Sequence, residues 1–168
     1  NDEWERGTPA SAPITTANSG TQCWKTDLDN TYNASSDQIL ESPDIDLTAA
    51  TGDIFISWAM KYQIENATFD QLVITVEEVG GGGMTQTLFT WYGATMTTTV
   101  GNPAVTLNLS AGWATFYVDI SAFAGKTIRF KVQLITDTSV QRAGLAIDDV
   151  KVYNKPAGSI IVASAGPG

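Results

Sequence analysis

Apolar and polar residues alternate through most of the middle of this chain. In Lys126-Thr-Ile-Arg-Phe-Lys-Val-Gln-Leu-Ile135, Ile128, Phe130, Val132 and Leu134 fall on one side while Arg129, Lys131 and Gln133 fall on the other. This is the period of two that a β-strand imposes on its side chains. Asp53-Ile-Phe-Ile-Ser-Trp-Ala-Met-Lys61 repeats it, with Ile54, Ile56, Trp58 and Met60 on one face, and predicts a half-buried antiparallel strand. Weaker alternation marks Leu72 to Glu77, Thr87 to Tyr92 and Trp113 to Val118. Turn signals separate these runs at Gly80 to Gly83, Gly101-Asn-Pro103, Ala111-Gly112 and Ala124-Gly125. Many short strands with such punctuation predict an all-β fold with little or no helix, a two-sheet antiparallel sandwich of the jelly-roll kind.

The glycine run at 80–83 has no Lys-Ser/Thr after it and no helix start, so it reads as a hairpin loop rather than a phosphate loop. Thr95 to Thr99 reads as an edge strand or an exposed loop. Asn154-Lys-Pro-Ala-Gly158 breaks the pattern, which predicts a folded module over residues 1–156 and a linker or the stub of a following module over 157–168.

The last strand signal, Ala143 to Tyr153, is apolar but carries Asp148 and Asp149 side by side. A regular strand places Asp148 on the face of Ala146, Val150 and Val152, toward the core. A carboxylate there needs a hydrogen bond, a counter-charge or a cation, because a bare buried charge costs several kcal/mol.

Composition narrows what that chemistry can be. The 168 residues carry 18 acids against nine bases, a net charge of -9, and no histidine. Nucleic acid and anionic membrane surfaces, which call for clustered Lys and Arg, are poor partners for such a chain. No apolar run is long enough to cross a membrane as a helix, and Asn1-Asp-Glu-Trp4 is no signal peptide, so the sequence reads as a mature or excised segment. Cys23, the single cysteine, excludes an internal disulfide and reads as a small buried hydrophobe. Without histidine, nucleophile-histidine pairs and histidine metal centres are unavailable.

What remains is oxygen chemistry. Ca²⁺ takes six to eight oxygen ligands from carboxylates, carbonyls and amides. The candidate donors are Asp148 with Asp149, Asp27 with Asp29 and Asn30, Asp70 at a strand start, and Glu5. The competing account pairs Asp148 or Asp149 with Arg129 or Arg142, uses Asp27 and Asp29 to shape an Asx turn, and leaves Asp70 solvated. A carboxylate pair spanning a sugar ring is the remaining enzymatic option, for which Asp148 with Asp70 or Glu77 is the available set. Trp58 and Trp113 read as core by their spacing, whereas Trp24, Tyr32, Trp91 and Tyr92 are candidates for a face that binds carbohydrate or protein.

Trp4-Glu-Arg-Gly-Thr-Pro9, Ser19-Gly20, Leu40-Glu-Ser-Pro43, Ile45-Asp-Leu47, Gly112-Trp113, Phe123-Ala-Gly-Lys-Thr127 and Ala146-Ile-Asp-Asp-Val150 occur in an order that resembles MAM-type jelly-roll domains. The resemblance is narrower to the bacterial accessory domains of immune inhibitor A-type secreted proteases and to cleaved adhesin domains. It implies a non-catalytic accessory or adhesion module of a larger, secreted or cell-surface bacterial protein, recognising carbohydrate or an extracellular protein, with a structural Ca²⁺. It equally admits a structural spacer.

Overall fold

The computed structural model describes residues 3–65, 68–80, 83–91, 110 and 112–155. Ten strands follow in order: β1 (Trp4–Gly7), β2 (Cys23–Thr26), β3 (Asp37–Glu41), β4 (Ile45–Asp46), β5 (Ile54–Gln63), β6 (Gln71–Glu78), β7 (Thr85–Trp91), β8 (Ala114–Asp119), β9 (Thr127–Ile135) and β10 (Gly144–Asn154). One short 3₁₀ turn, Ser121–Phe123, joins β8 to β9. The strands form two antiparallel sheets, in the orders β1-β2-β10-β5-β8 and β3-β9-β6-β7, with β4 also paired to β9. This is the two-sheet jelly-roll sandwich that the alternation predicts. The tail from 157 and the Thr95–Thr99 segment lie outside the described residues.

The inner faces meet as expected. Ile54, Ile56, Trp58 and Met60 from β5 pack with Ile128, Phe130, Val132 and Leu134 from β9 in one cluster, where Trp58 stacks on Phe116 with ring centroids 5.4 Å apart. Burying such rings and aliphatic chains contributes about 1.5–3 kcal/mol each. The outer face of β5 departs from expectation. Phe55, Ser57 and Ala59 are buried as well, so the strand is enclosed on both sides. A second, smaller apolar cluster explains part of this: Ile14, Cys23, Ala143 and Ala146, with Ala17 and Trp113 against it, lie on the outside of the first sheet under the β1–β2 connection. Trp113 therefore belongs to this outer cluster and not to the sandwich core. Its indole N–H donates to the Thr16 carbonyl at 3.0 Å.

The facing of Asp148 also differs. β10 pairs with β5 through Ile147↔Met60 and Asp148↔Ala59, then resumes at Lys151↔Ser57 and Val152↔Ile56. Three steps on one strand against two on the other make a β-bulge, which exchanges the faces of β10. Leu145 and Ile147 point into the core before it, and Val152 packs against the core after it. Asp148 shares the face of Ala146, but that face is the outer one. Asp149 carries the turn at φ 49°, a left-handed conformation that aspartate tolerates better than most residues.

Candidate functional site

Three carboxylates converge beyond one end of the second sheet. Gln71 at the start of β6 pairs with Ile135 at the end of β9, so Asp70 and Asp137 leave the same edge together. Glu65 arrives from the short link after β5. One oxygen from each of Glu65, Asp70 and Asp137 lies within 4.8 Å of the others. Asp70 is fully buried, accepting the Tyr32 hydroxyl at 2.5 Å and the Asp137 main-chain N–H at 2.9 Å. The Glu65 N–H in turn donates to the Tyr32 oxygen at 3.1 Å. Burial pushes the Asp70 carboxyl above its ordinary range against the pull of these hydrogen bonds. Burial and then the charges of Asp70 and Asp137 do the same to Glu65, which Arg142 partly offsets. Three carboxylates with oxygens gathered within 4.8 Å of one another could hold a metal ion, and an all-oxygen donor set is the kind a hard cation takes, with further oxygens still to be supplied.

The sequence nominated Asp70 but neither Glu65 nor Asp137. The structure brings these two to it, and brings none of Glu5, Asp27, Asp29, Asp148 or Asp149.

Asp148 and Asp149 instead hold the β1–β2 connection. Asp148 Oδ2 accepts the N–H groups of Asn18 and Ser19, each at 3.0 Å, and its Oδ1 accepts the Asp149 N–H at 2.8 Å. Asp149 accepts the Asn18 amide at 2.8 Å and the Ser19 hydroxyl at 3.0 Å. These bonds, the Asn18 one first, hold the Asp149 carboxyl below its ordinary range. Its ion-pair partner is Lys151 at 3.6 Å, not Arg129, which binds Asp44 and Glu41.

Glu5, Asp27 and Asp29 gather around a third place, the loop after β2. Glu5 Oε2 accepts the Leu28 N–H at 2.9 Å, and Asp27 Oδ1 accepts the N–H groups of Asn30 at 3.0 Å and Asp29 at 3.4 Å, an Asx-type turn. Beneath it lies Lys25, wholly buried, its ammonium donating to the carbonyls of Thr26, Asp27 and Asn30. Burial draws the lysine pKa down, and the charges of Asp27, Cys23, Glu5 and Asp29 oppose that.

The aromatic candidates separate. Trp24 is 39% exposed, whereas Tyr32 is 1% exposed and committed to Asp70, so its ring has no face open to a ligand. Trp91 closes β7, its side chain outside the described set, and Tyr92 lies outside the described residues altogether. Glu77, the alternative catalytic partner, sits in β6 beside Lys131 at 3.6 Å, on a different sheet from Asp148.

Among the described residues, ten strands in two antiparallel sheets define a β-sandwich module of the jelly-roll class. Residues 11–161 match the model of the immune inhibitor A-like MAM domain, and the chain belongs to that family. It is 27% identical over 161 residues to Bacillopeptidase F of Bacillus subtilis (strain 168), a match that takes in 96% of this chain and 10% of that protein. The chain thus spans about a tenth of the length of this curated relative. Its fold is shared with the K1 cleaved adhesin domain of Lys-gingipain from Porphyromonas gingivalis W83, at TM-score 0.55 and 17% identity, over 90% of this chain and 83% of that one. It is also shared with TmCBM61, solved in complex with β-1,4-galactotriose, at TM-score 0.50 and 14% identity, over 91% of this chain and 83% of that one. Among the described residues no helix is long and apolar enough to cross a membrane.

Proposed function

We propose that this chain is a non-catalytic binding module of an extracellular bacterial protein, that it recognises carbohydrate or a protein partner, and that Ca²⁺ is held at Glu65, Asp70 and Asp137. The observation that carries the non-catalytic part is the commitment of the acids. Asp148 and Asp149 are engaged by the Asn18–Ser19 turn, Asp70 is enclosed under Tyr32, and Glu77 faces Lys131. A glycosidase needs two carboxylates flanking a substrate, one on each side. Asp70 is buried at the entrance to β6 of the second sheet, whereas Asp148 lies on the outer face of the first, so the two do not flank a common space.

Membership in the MAM family and the match to a tenth of a protein named as a peptidase support an accessory role beside a catalytic part. The names of the structural relatives, an adhesin domain and a module bound to a galactotriose, favour binding over a bare spacer. Trp24, in β2, presents an indole to solvent and is the ring we assign to the partner, with Trp91 and Tyr92 as further contacts. Tyr32 is assigned to the ion site, through Asp70. In that site the ion would bridge the ends of β5, β6 and β9 and relieve the repulsion among three carboxylates.

A glycan array that includes β-1,4-galacto-oligosaccharides, run on the wild type and on Trp24→Ala, tests the binding reading. Capture that falls at least tenfold in the variant supports it. Absence of binding to glycans and to extracellular protein panels leaves the spacer reading, and release of reducing ends from a polysaccharide would make the chain an enzyme.

A further inference from the structure

Lys25 has no side-chain exposure, and its hydrogen bonds run to main-chain carbonyls: Thr26 at 3.1 Å, Asn30 at 3.3 Å and Asp27. An ammonium has three N–H donors and no acceptor, so three carbonyls satisfy it completely. A neutral amine would instead set its lone pair against a carbonyl oxygen. The loop is shaped to make those oxygens converge. Asp27 takes a left-handed conformation, φ 53°, and its carboxylate gathers the N–H groups of Asn30 and Asp29, leaving the carbonyls of this turn to face the lysine. Glu5, on the neighbouring strand and opposite Lys25 in register, fixes the loop through Leu28. The Leu28 carbonyl in turn receives the N–H groups of Ala10 and Ser11. Converging main-chain carbonyls with carboxylates at longer range are the oxygen environment of a hard cation.

We propose that the turn from Asp27 to Asn30 is a cation-binding loop whose resident cation is the Lys25 ammonium, and that the same oxygens take Ca²⁺ or a primary alkylammonium from solution when the lysine is shortened. The tethered charge makes this corner independent of dissolved ions. It uses none of the atoms of Glu65, Asp70 and Asp137, and stands or falls separately from calcium there.

The test compares the wild type with Lys25→Ala by equilibrium dialysis against ⁴⁵Ca²⁺ and by thermal unfolding in EDTA, in Ca²⁺ and in propylammonium chloride. The difference in bound Ca²⁺ between the two proteins is the reading, whatever the second site holds. Lys25→Ala is expected to bind about one more ion per chain. Its midpoint in EDTA should fall by about 10 °C, since buried acceptors lose their cation. Ca²⁺ or propylammonium should recover at least half of that, and which of them does so separates a metal-type loop from an ammonium-type one. Equal Ca²⁺ uptake by both proteins, with no recovery by either cation, would overturn the proposal. Should Lys25→Ala not fold in any of these solutions, the wild type decides. Labelled with ¹⁵N-lysine at neutral pH, it should show one slowly exchanging ammonium signal, absent in Lys25→Arg. An ammonium at Lys25 that exchanges as fast as those of the other lysines would refute it.

Discussion

At Asp148 a carboxylate holds two main-chain N–H groups of a turn 130 positions earlier in the chain. Asp148→Ala returns both donors, which lie at exposed residues, to water; the lost bonds are worth about 0.5–1.5 kcal/mol each, and the thermal midpoint should fall by a few degrees. Because the role is a hydrogen-bonded one, the fall should be the same in EDTA and in Ca²⁺; a fall seen only in Ca²⁺ would return Asp148 to the list of metal ligands. Cys23 permits an equally direct check. Burial, with Asp148 adding to it and Lys25 opposing, pushes its thiol to about 11. About one thiol in a thousand is then ionised at pH 8. Ellman's reagent should react with the native protein at least a hundredfold more slowly than with the guanidine-unfolded chain. These residue-scale roles were partly legible: a lone free cysteine reads as buried from its residue type, while the anchoring of a distant turn leaves no trace in spacing.

Among the elements, β9 and β5 are readable because one face of each meets the opposite sheet over many residues, and alternation survives. β2 is not, because its four residues include a lysine at a fully buried position, where a pattern of hydrophobicity expects none. The bulge in β10 is equally silent, since nothing in Ile-Asp-Asp-Val states that Asp149 takes a positive φ, and one inserted residue exchanges the faces of everything beyond it. Asp137 could be found only by knowing that β6 pairs with β9, and Glu65 only by knowing where the link after β5 runs. The start of β10 has its own constraint. Gly144 sits at φ +91°, and a Cβ added there would lie 2.1 Å from Thr26 Oγ1, the atom that receives the Leu145 N–H. Gly144→Ala should therefore cost both backbone strain and that hydrogen bond, roughly 2–4 kcal/mol together. Chemical denaturation would show it as a lower midpoint concentration at unchanged slope. A variant as stable as the wild type would overturn the close approach of β10 to Thr26 in β2.

For the whole molecule, the carboxylates divide into two groups whose effects on stability have opposite sign. Asp46 and Asp119, each held by a neighbouring hydroxyl and N–H (Thr48 and Ser121), and Asp149, held by Asn18 and Ser19, have depressed pKa values. Folding releases protons from them, and the stability they contribute, present above 3.8, disappears as pH falls through their lower folded values. Asp70 and Glu65 are raised, chiefly by burial, from 3.8 and 4.5. Folding takes up protons in the windows above those values, so stability there increases as pH falls and declines as pH rises. The two limbs predict a stability maximum on the acid side of neutrality in EDTA. Ca²⁺ at Glu65, Asp70 and Asp137 competes with those protons, because it binds only the ionised forms. Excess Ca²⁺ should therefore lift the upper limb, most at neutral pH, and leave the acid limb unchanged. Thermal midpoints from pH 3 to 8 with EDTA or Ca²⁺ measure both limbs. Asp70→Asn should flatten the upper limb in EDTA, since an amide cannot ionise, and should weaken the response to Ca²⁺. If the variant keeps both the slope and the full response, the ion is held elsewhere and the cluster at the ends of β6 and β9 is a purely structural network around Tyr32.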